Sequence, residues 1–444
     1  MILKARRKVI VGLGFFLIAC AAAAFGLAPG AAAKKRASSF DSLKKRDIER
    51  MMRYQALASR PGRTPSESVR LFSAASLPTD KDDDGMSDSW ERANGFSPSN
   101  PNDAWLDPDK DNVVNLFEYQ LGSDPKSASS PPVVTVGTSS AADYTSLADA
   151  LDSCESGSVI RVAKGTYKVN YMTFDPKTVM IQGGWSKDFL KRDLKLYPVT
   201  LDGANKDEVL YFSYSSGTNG IILDGLKIVR GKGDFGAVNF LAQNSAFMKV
   251  SIFNCFILQS GSTYALGSVL GFNNWIDSLS DRTVANTVIA GNTASGIKAQ
   301  VTGSTKARWR IINSAIYGNK NGSGDNGYGI DSFTFADGVL NAHIFNSILW
   351  GNAQEDINLW GSIGFNVDHS DLDKALAGYG ATCKIGTGRL NVNPGFVAPG
   401  SFNYHLSSSS PLINVGINKG IPLIDFEGEK RVKGAAPDIG PDER

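Results

Sequence analysis

A repeat of about 30 residues in the second half of the chain limits the possible folds more than any other feature of the sequence. Its copies begin with an asparagine and a small residue ahead of a short apolar run, at Asn254, Asn286, Asn313 and Asn346. Asp224 takes the equivalent place before them, and the successive steps are 30, 32, 27 and 33 residues. A glycine lies 17 to 19 residues ahead of each asparagine, at Gly236, Gly267, Gly296 and Gly329. Two strand signals in each period predict one coil of a solenoid.

The residues inside each repeat alternate between β-branched and small polar types, and a helical period is missing. Helical repeats are therefore excluded, and the chain is predicted to be an all-β protein built on a right-handed parallel β-helix over residues 133–444. One coil cannot bury its apolar face alone, so stacked coils share a continuous core. The recurring asparagines are expected to form a polar ladder at a turn, which is a structural role rather than a ligand-binding one.

Both ends of this domain resemble a known family. Residues 144–153 are predicted to form a short helix that caps the exposed sheet edge of the first coil. Residues 143–147 and 165–167 resemble the entry of pectate-lyase-like β-helix proteins. Three later segments resemble the closing region of bacterial surface β-helix proteins: residues 393–396, 410–416 and 434–440. The resemblance implies the fold and leaves open whether the protein is an enzyme, since the fold carries both kinds.

Residues 78–125 are strongly acidic and contain two copies of a calcium-loop pattern, 27 residues apart. Side-chain oxygens occupy loop positions 1, 3, 5, 9 and 12 in both copies: Asp80, Asp82, Asp84, Asp88 and Glu91, then Asp107, Asp109, Asp111, Asn115 and Glu118. Position 7 supplies only a main-chain carbonyl, so Met86 and Val113 are acceptable there. A large, hard cation needs about six to eight oxygen ligands, and a glutamate at position 12 can supply two. The pattern predicts two Ca²⁺ sites.

The turn at position 6 differs between the two loops. The first loop has Gly85 there, whereas the second has Asn112. Asparagine is the side-chain-bearing residue that best tolerates a positive φ, so the second turn is feasible. The second site is expected to bind calcium more weakly than the first.

Four short motifs in the acidic segment resemble bacterial thrombospondin type 3-like calcium repeats, an EF-hand-like module. They are residues 84–91, 94–98, 115–119 and 122–125, and the likeness covers about 45 residues. In that family the module is a stiffening spacer on surface proteins. The resemblance implies the same role here, as a calcium-stiffened stalk, and does not imply catalysis.

Residues 1–33 are predicted to be an export signal. Basic side chains precede an apolar run from Val9 to Ala33, which ends in small residues that suit signal peptidase. Two alternatives stay open: Cys20 follows a lipobox-like sequence and would be acylated, or the apolar run remains as an uncleaved membrane anchor. All three place the rest of the chain outside the cytoplasm or at the cell surface. Residues 34–77 form a basic polar linker, and residues 126–132 form a second linker.

Charge and cysteine content exclude some classes of protein. The chain has 46 basic and 44 acidic side chains, so it lacks the global basic field of a nucleic-acid-binding protein. Besides Cys20 it has Cys154, Cys255 and Cys383, too few for a disulfide framework and not spaced for zinc. They are expected to be small buried hydrophobes with at most one bridge. The sequence leaves the oligomeric state open.

A recognisable catalytic motif is missing. The histidines, His343, His369 and His405, lie outside any triad signature. Weak candidates for an acid–base site across adjacent coils are Lys298, Arg308, Arg310, Asp325, Asp331 and Asp337. A second group of side chains would suit sugar stacking: Trp275, Trp309, Trp350, Trp360, Tyr317 and Tyr328.

These features predict an exported calcium-binding β-helix protein that interacts with extracellular or cell-surface polysaccharide. One alternative is a polysaccharide lyase or glycoside hydrolase of the pectate-lyase-like fold. Another is a surface adhesin or envelope component with a protein partner. A convergent charged cleft on one flank would favour the enzyme, whereas an uncharged aromatic strip would favour glycan binding.

Overall fold

The computed structural model describes residues 76–444, apart from residues 170, 174–175, 264–267, 276–277, 323–326, 336, 375–376 and 380 and the side chains of residues 377–379. The predicted export signal, residues 1–33 with Cys20, lies outside the described residues, as does the linker up to residue 75. Within the described part of the chain, no helix is long and apolar enough to cross a membrane.

Short strands dominate the described residues, and the helices are few and short. The helices are α1 (Asp88–Asn94), α2 (Asn115–Leu121) and α3 (Leu147–Ser153), with 3₁₀ turns at Asp103–Trp105 and Pro399–Ser401. The strands of the first coils are β1 (Val133–Val136), β2 (Ser158–Ala163), β3 (Gly165–Lys168), β4 (Val179–Trp185), β5 (Val199–Asp202), β6 (Leu210–Tyr214), β7 (Thr218–Asp224), β8 (Leu226–Val229), β9 (Val238–Gln243), β10 (Phe247–Phe253), β11 (Phe256–Leu258), β12 (Leu270–Trp275), β13 (Leu279–Ala285) and β14 (Val288–Ala290). The later strands are β15 (Ile297–Thr302), β16 (Lys306–Ile312), β17 (Ala315–Tyr317), β18 (Ile330–Phe335), β19 (Val339–Phe345), β20 (Ile348–Trp350), β21 (Ile357–Trp360), β22 (Ile363–Asp368), β23 (Asp371–Leu372), β24 (Ala377–Tyr379), β25 (Thr382–Ile385), β26 (Phe396–Ala398) and β27 (Asn403–Leu406).

Three long sheets run along the described chain, and each of the seven coils from β4 to β24 contributes one strand to each sheet. Sheet A has 10 strands in the order β1-β2-β4-β7-β10-β13-β16-β19-β22-β25. Sheet B has 8, in the order β3-β5-β8-β11-β14-β17-β20-β23, and sheet C has 7, in the order β6-β9-β12-β15-β18-β21-β24. Neighbouring strands are parallel, as in β7, β10 and β13, which pair over seven positions each. The predicted right-handed parallel β-helix is confirmed.

The interior of the β-helix is filled by stacked side chains from successive coils. Three aromatic rings at equivalent inward positions of sheet C form one stack, with centroids 5.2 and 5.6 Å apart: Phe212, Phe240 and Phe272. Trp309 of sheet A extends the stack with an edge-on contact to Phe272 at 5.1 Å. Such stacking buries large apolar surfaces against copies of the same position, which is the continuous core that the repeat predicts.

The predicted asparagine ladder is confirmed in the first coils, from Asp224 to Asn286. Asn254, Asn286, Asn313 and Asn346 lie at equivalent turns, with φ between 44° and 51°. The Asn286 side-chain amide donates to Asn254 Oδ1 at 3.1 Å, and that of Asn254 donates to Asp224 Oδ1 at 3.2 Å. The side-chain amides of Asn313 and Asn346 donate instead to carbonyls of the closing region. Asparagine suits these turns because it tolerates the left-handed backbone.

Two further ladders run beside the first. The side-chain amide of Asn292 donates to Asn319 Oδ1 at 2.9 Å, and that of Asn319 donates to Asn352 Oδ1 at 3.0 Å. The Ser314 main-chain amide donates to Ser347 Oγ at 3.2 Å, in a ladder of small polar side chains. These bonds satisfy the buried polar groups of the turns from coil to coil.

The three cysteines of the described chain are free. Cys255 is fully buried, and its main-chain amide donates to Thr287 Oγ1 at 3.4 Å, so it occupies the ladder position that serine takes in later coils. Cys154 is buried beside the N-terminal cap, and Cys383 is partly buried on β25. The thiols therefore serve as small core side chains.

The cap helix α3 begins later than the sequence predicted, at Leu147 rather than residue 144. Ser146 ends the preceding extended segment, and its side chain accepts a hydrogen bond from the Asp149 amide at 3.3 Å. Serine is a preferred N-cap residue, which sets the start of the helix. Leu147, Ala150 and Leu151 are buried and cover the first coil.

The acidic segment packs flat against the outer face of sheet A. Trp105 stacks on Phe253 at 5.3 Å, and its Nε1 donates to the Gly420 carbonyl at 3.2 Å. One apolar cluster joins the two parts: Met86, Ala104, Trp105, Val113, Leu116, Phe117 and Leu121 with Val159, Met180, Ile222, Phe253, Ala285, Ile312, Phe345 and Ile421. The expectation of a stalk is therefore wrong for this segment, because the apolar side chains of α2 and of the loops around it are buried on the β-helix.

Candidate metal centre

The two acidic loops follow the same backbone path. Asp83 and Lys110, at position 4 of each loop, have φ of 61° and 63°. Gly85 and Asn112, at position 6, have φ of 103° and 73°. The positive φ predicted for Asn112 is confirmed, and both loops turn sharply at position 6.

Hydrogen bonds within each loop repeat in register. Asp80 Oδ2 accepts from the Gly85 amide at 3.1 Å, and Asp107 Oδ2 accepts from the Asn112 amide at 3.0 Å. The aspartate at position 5 accepts from the amide at position 7, at 2.8 Å in both loops. These bonds fix the carboxylates on the inner side of each turn.

Carboxylates crowd together in both loops. Among the described residues, three groups each place ligand oxygens within 4.8 Å of one another: Asp80, Asp82 and Asp84; Asp84, Glu91 and Asp103; and Asp107, Asp109 and Asp111. The first two groups share Asp84 and so form one site. Like charges at this separation repel one another, so a cation or protons must compensate them.

Several of these oxygens are buried without a donor. Glu91 is fully buried, and neither Oε atom has a hydrogen-bond partner in the described chain. Asp82 has no partner for either carboxylate oxygen within the same residues. Glu118 is also fully buried; its Oε1 accepts from Ser123 Oγ at 2.9 Å, whereas Oε2 has no described partner. Buried unpaired oxygens are costly, and a bound cation would satisfy them.

Burial raises the pKa of these carboxyls, and the neighbouring carboxylates add to the effect. The pKa of Glu91 is raised to about 7 and that of Asp84 to about 9. In the second loop the pKa of Glu118 is raised to about 8 and that of Asp111 to about 6. The charged forms are therefore disfavoured until a cation compensates them, which is the behaviour of a metal site.

Two arginines of β16 hold the first loop on sheet A. Arg310 is buried, and its guanidinium pairs with Asp80 Oδ2 at 2.8 Å, Asp83 Oδ1 at 3.1 Å and Asp281 Oδ1 at 2.6 Å. Arg308 Nη1 also pairs with Asp80 Oδ2, at 2.6 Å. The guanidinium groups compensate part of the loop charge and set its position on the sheet.

Strands of earlier coils hold the second loop. Arg161 Nη2 donates to the Asp111 carbonyl at 3.1 Å, and Gln182 Nε2 donates to the Asn112 carbonyl at 2.7 Å. Lys249 Nζ lies 3.6 Å from the centroid of the Tyr119 ring and anchors α2. Residues of β2, β4 and β10 thus position the second loop and the helix that follows it.

A groove of about 360 Å³ opens on sheet A beside the first loop. Polar and charged side chains line it together with apolar ones: Asp83, Arg308, Asn341, His343, Asn366, Thr382 and Lys384, with Trp309, Ala342, Gly364 and Phe365. His343 Nε2 lies 3.0 Å from Asp368 Oδ2, and Nδ1 lies 3.5 Å from Asp83 Oδ2. Burial lowers the pKa of His343, but the hydrogen bonds with the two carboxylates outweigh it and raise the pKa above its usual range.

The candidate catalytic residues lie on different sheets and turns of the β-helix. Lys298 pairs with Asp331 Oδ2 at 2.8 Å on sheet C. Both arginines of β16 lie on sheet A, bound to the first acidic loop. Asp337 is exposed in the turn before β19, and Asp325 lies outside the described residues. The structure therefore does not bring the described candidates into one site.

Most of the predicted sugar-stacking residues are not exposed. Trp275 and Trp309 are buried, the latter in the core stack, and Tyr317 packs edge-on against Phe396 at 5.3 Å. Trp350 and Tyr328 are partly buried. Trp360 has 55% of its surface exposed. A continuous aromatic strip is therefore not formed by these six residues.

Comparison with known proteins gives distant structural likenesses. No family model matches the sequence, and no curated protein matches it. The chain is similar to the crystal structure of pectate lyase Pel9A, with 16% sequence identity and a TM-score of 0.34. The match covers 71% of this chain and 96% of that chain. The assignment of the fold rests on the strand order and register described above.

Two features of the site were not predicted from the sequence. Asp103 joins the first carboxylate group although it lies outside both loop patterns. Arg308 and Arg310 were considered only as catalytic candidates, whereas they bind Asp80. Their spacing could have indicated this role. Arg308 and Arg310 are two residues apart on a strand, so both side chains lie on one face of the sheet.

Proposed function

We propose that residues 78–125 bind two calcium ions, which stabilise this segment against the β-helix. The observation that carries the proposal is the set of buried carboxylate oxygens without a donor in the described chain, above all both oxygens of Glu91. The predicted ligands are carboxylates, one amide and two carbonyls, which favour a hard cation over zinc. Flexible oxygen ligands at this loop spacing favour Ca²⁺ over Mg²⁺, which demands near-ideal octahedral geometry.

Calcium titration of the purified chain by calorimetry tests the proposal. We expect two Ca²⁺ ions per chain, and a variant with Glu91→Gln and Glu118→Gln together should lose both. Magnesium at the same concentration is the control for nonspecific attraction to the acidic segment. Binding of no calcium at millimolar concentration would contradict the proposal.

We also propose that the protein is exported, to the cell surface or beyond. The support is the N-terminal sequence, in which basic residues precede a long apolar run. Cell fractionation with an antibody against the β-helix would test export, and recovery of the whole chain from the cytoplasm would contradict it.

A second candidate function is glycan binding in the groove on sheet A. Amide, hydroxyl and cationic side chains line it, with Asn341, Asn366, Thr382 and Lys384 presented on adjacent strands. Such groups hydrogen-bond sugar hydroxyls and pair with acidic substituents. The described catalytic candidates are not gathered in the groove, which favours binding without cleavage over the lyase and hydrolase alternatives.

Retention of the protein on a panel of neutral and acidic polysaccharides tests glycan binding in the groove. Unsaturated products and reducing ends are measured in the same samples to detect cleavage. Lys384→Ala should weaken retention, whereas Lys227→Ala, an exposed lysine on a strand of sheet B, should not. Cleavage of any glycan would favour the enzyme. Absence of both retention and cleavage would favour the adhesin or envelope role.

A further inference from the structure

Asp103 stands outside both loop patterns, yet its carboxylate lies in the first site. The residue begins the 3₁₀ turn Asp103–Trp105, and its ligand oxygen lies within 4.8 Å of those of Asp84 and Glu91. Oδ2 accepts from the Ser97 amide at 3.0 Å. Oδ1 is buried and has no partner among the described residues. With 4% of its surface exposed, the carboxyl of Asp103 needs a positive partner.

Asp88, the predicted ligand at position 9, is engaged elsewhere. Its Oδ1 accepts from the Lys81 amide at 2.9 Å, and its Oδ2 pairs with Arg92 Nη2 at 3.0 Å. It belongs to none of the carboxylate groups found among the described residues. Position 9 of a calcium loop often acts only through a water molecule, so this arrangement is compatible with a loop of this type.

We propose that Asp103, rather than Asp88, supplies a direct carboxylate ligand to the cation in the first site. The inference rests on the proposed calcium function and adds a ligand that the loop spacing does not contain. Asp80, Asp82, Asp84, Glu91 and Asp103 then place five carboxylates around one ion. The high ligand charge favours tight binding of a divalent cation.

The second loop positions this ligand of the first site. Asn115 Nδ2 donates to the Asp103 carbonyl at 2.8 Å, and the Asn115 amide donates to the Leu106 carbonyl at 2.9 Å. Asn115 is fully buried, so both bonds are shielded from water. The turn that carries Asp103 is thereby fixed to the start of α2.

Calcium calorimetry on a Glu118→Gln background, in which the second site is disabled, isolates the first site. Asp103→Asn on this background should weaken calcium binding at least about tenfold, because a direct anionic ligand is lost. The matched control Asp88→Asn should change the affinity by less than about threefold. Asparagine keeps an acceptor for the Ser97 amide, so the turn is preserved. Asp103→Ser is a second variant with an acceptor oxygen, and the same weakening is expected.

Calcium affinities that are equal within about threefold for Asp103→Asn, Asp103→Ser and Asp88→Asn would overturn the inference and leave calcium binding intact. A larger loss for Asp88→Asn than for both Asp103 variants would also overturn it. If the unaltered chain bound no calcium, the proposed function would fail, and the inference with it. Circular dichroism without calcium shows whether each variant is folded.

Discussion

At the scale of single residues, Asp371 shows how burial makes stability depend on pH. The residue is fully buried at the start of β23, and its Oδ1 accepts from the Val392 amide at 2.9 Å. Oδ2 has no partner among the described residues. Burial, with a contribution from Asp356, raises the pKa of Asp371 to about 7. The folded chain therefore holds this proton at pH values where the unfolded chain, with a pKa of about 4, has released it.

Between about pH 4 and pH 7 the folded state binds more protons at this residue, so its contribution to the free energy of unfolding falls as the pH rises. Asp371→Asn should flatten that part of the pH dependence, because asparagine does not titrate. Urea unfolding measured from pH 4 to pH 8 checks this. Asp152→Asn, an exposed aspartate on α3, is the control. If the free energy of unfolding changed equally with pH in Asp371→Asn and in the unaltered chain, the prediction would be contradicted.

At the scale of elements, the approach of α2 to β7 depends on one glycine. Gly220 of β7 lies under the last turn of α2, where an added Cβ would be 2.8 Å from the Gln120 carbonyl oxygen and 3.2 Å from Thr178 Cγ2. A backbone carbonyl cannot move away without moving the helix. The small residue therefore lets the acidic segment lie directly on sheet A.

Gly220→Ala should lower the free energy of unfolding by about 1–3 kcal/mol, because it overpacks this contact. Gly400→Ala is the matched control, since an added Cβ there meets nothing within 4 Å. Chemical unfolding of both variants in calcium measures the difference. If Gly400→Ala lowered the free energy of unfolding as much as Gly220→Ala, the effect would not come from the contact with α2.

At the scale of the whole molecule, calcium is expected to stabilise the β-helix together with the acidic segment, because both share one apolar cluster. At a calcium concentration of about 100 times the dissociation constant, each site adds about 2.7 kcal/mol to the free energy of unfolding. Chelation should therefore lower the melting temperature of the entire chain. Calorimetric melting with calcium and with excess chelator measures the shift.

The control for that experiment is the variant with Glu91→Gln and Glu118→Gln together, whose melting should not respond to calcium. An unaltered chain that melts at the same temperature with calcium and with chelator would contradict the coupling. Separate transitions for the acidic segment and the β-helix would contradict it as well, since one shared cluster predicts one cooperative unit.

The packing of the acidic segment on sheet A could also have been predicted from the sequence. Phe253, Ala285, Ile312 and Phe345 pair in register on successive strands and face outward into the shared cluster. Each follows an inward apolar or small residue, so the strand ends are apolar on both faces. Two-sided apolar strands indicate a sheet that is covered on both sides. This pattern marks the footprint of the acidic segment.

The β-helix, the two loops and the asparagine ladder could be predicted from the amino-acid sequence. Each depends on local spacing: a period near 30 residues, oxygen donors at fixed loop positions, and a residue such as Asn286 that tolerates a left-handed turn. Strand type and turn geometry follow from such short-range patterns, and stacking repeats them from coil to coil. The equivalent turns of Gly85 and Asn112 belong to the same class of features.

The position of the loops on the β-helix, and the residues that complete them, depend on long-range contacts. The packing of α2 on sheet A, the pairing of Arg310 with Asp80, and the entry of Asp103 into the first site join residues far apart in sequence or outside any motif. Burial produced these contacts, because apolar faces that the loops alone cannot cover find their partner on the outer face of the sheet. The same burial leaves carboxylates such as Glu91 without water or donors in the described chain, and so creates the chemistry of the site.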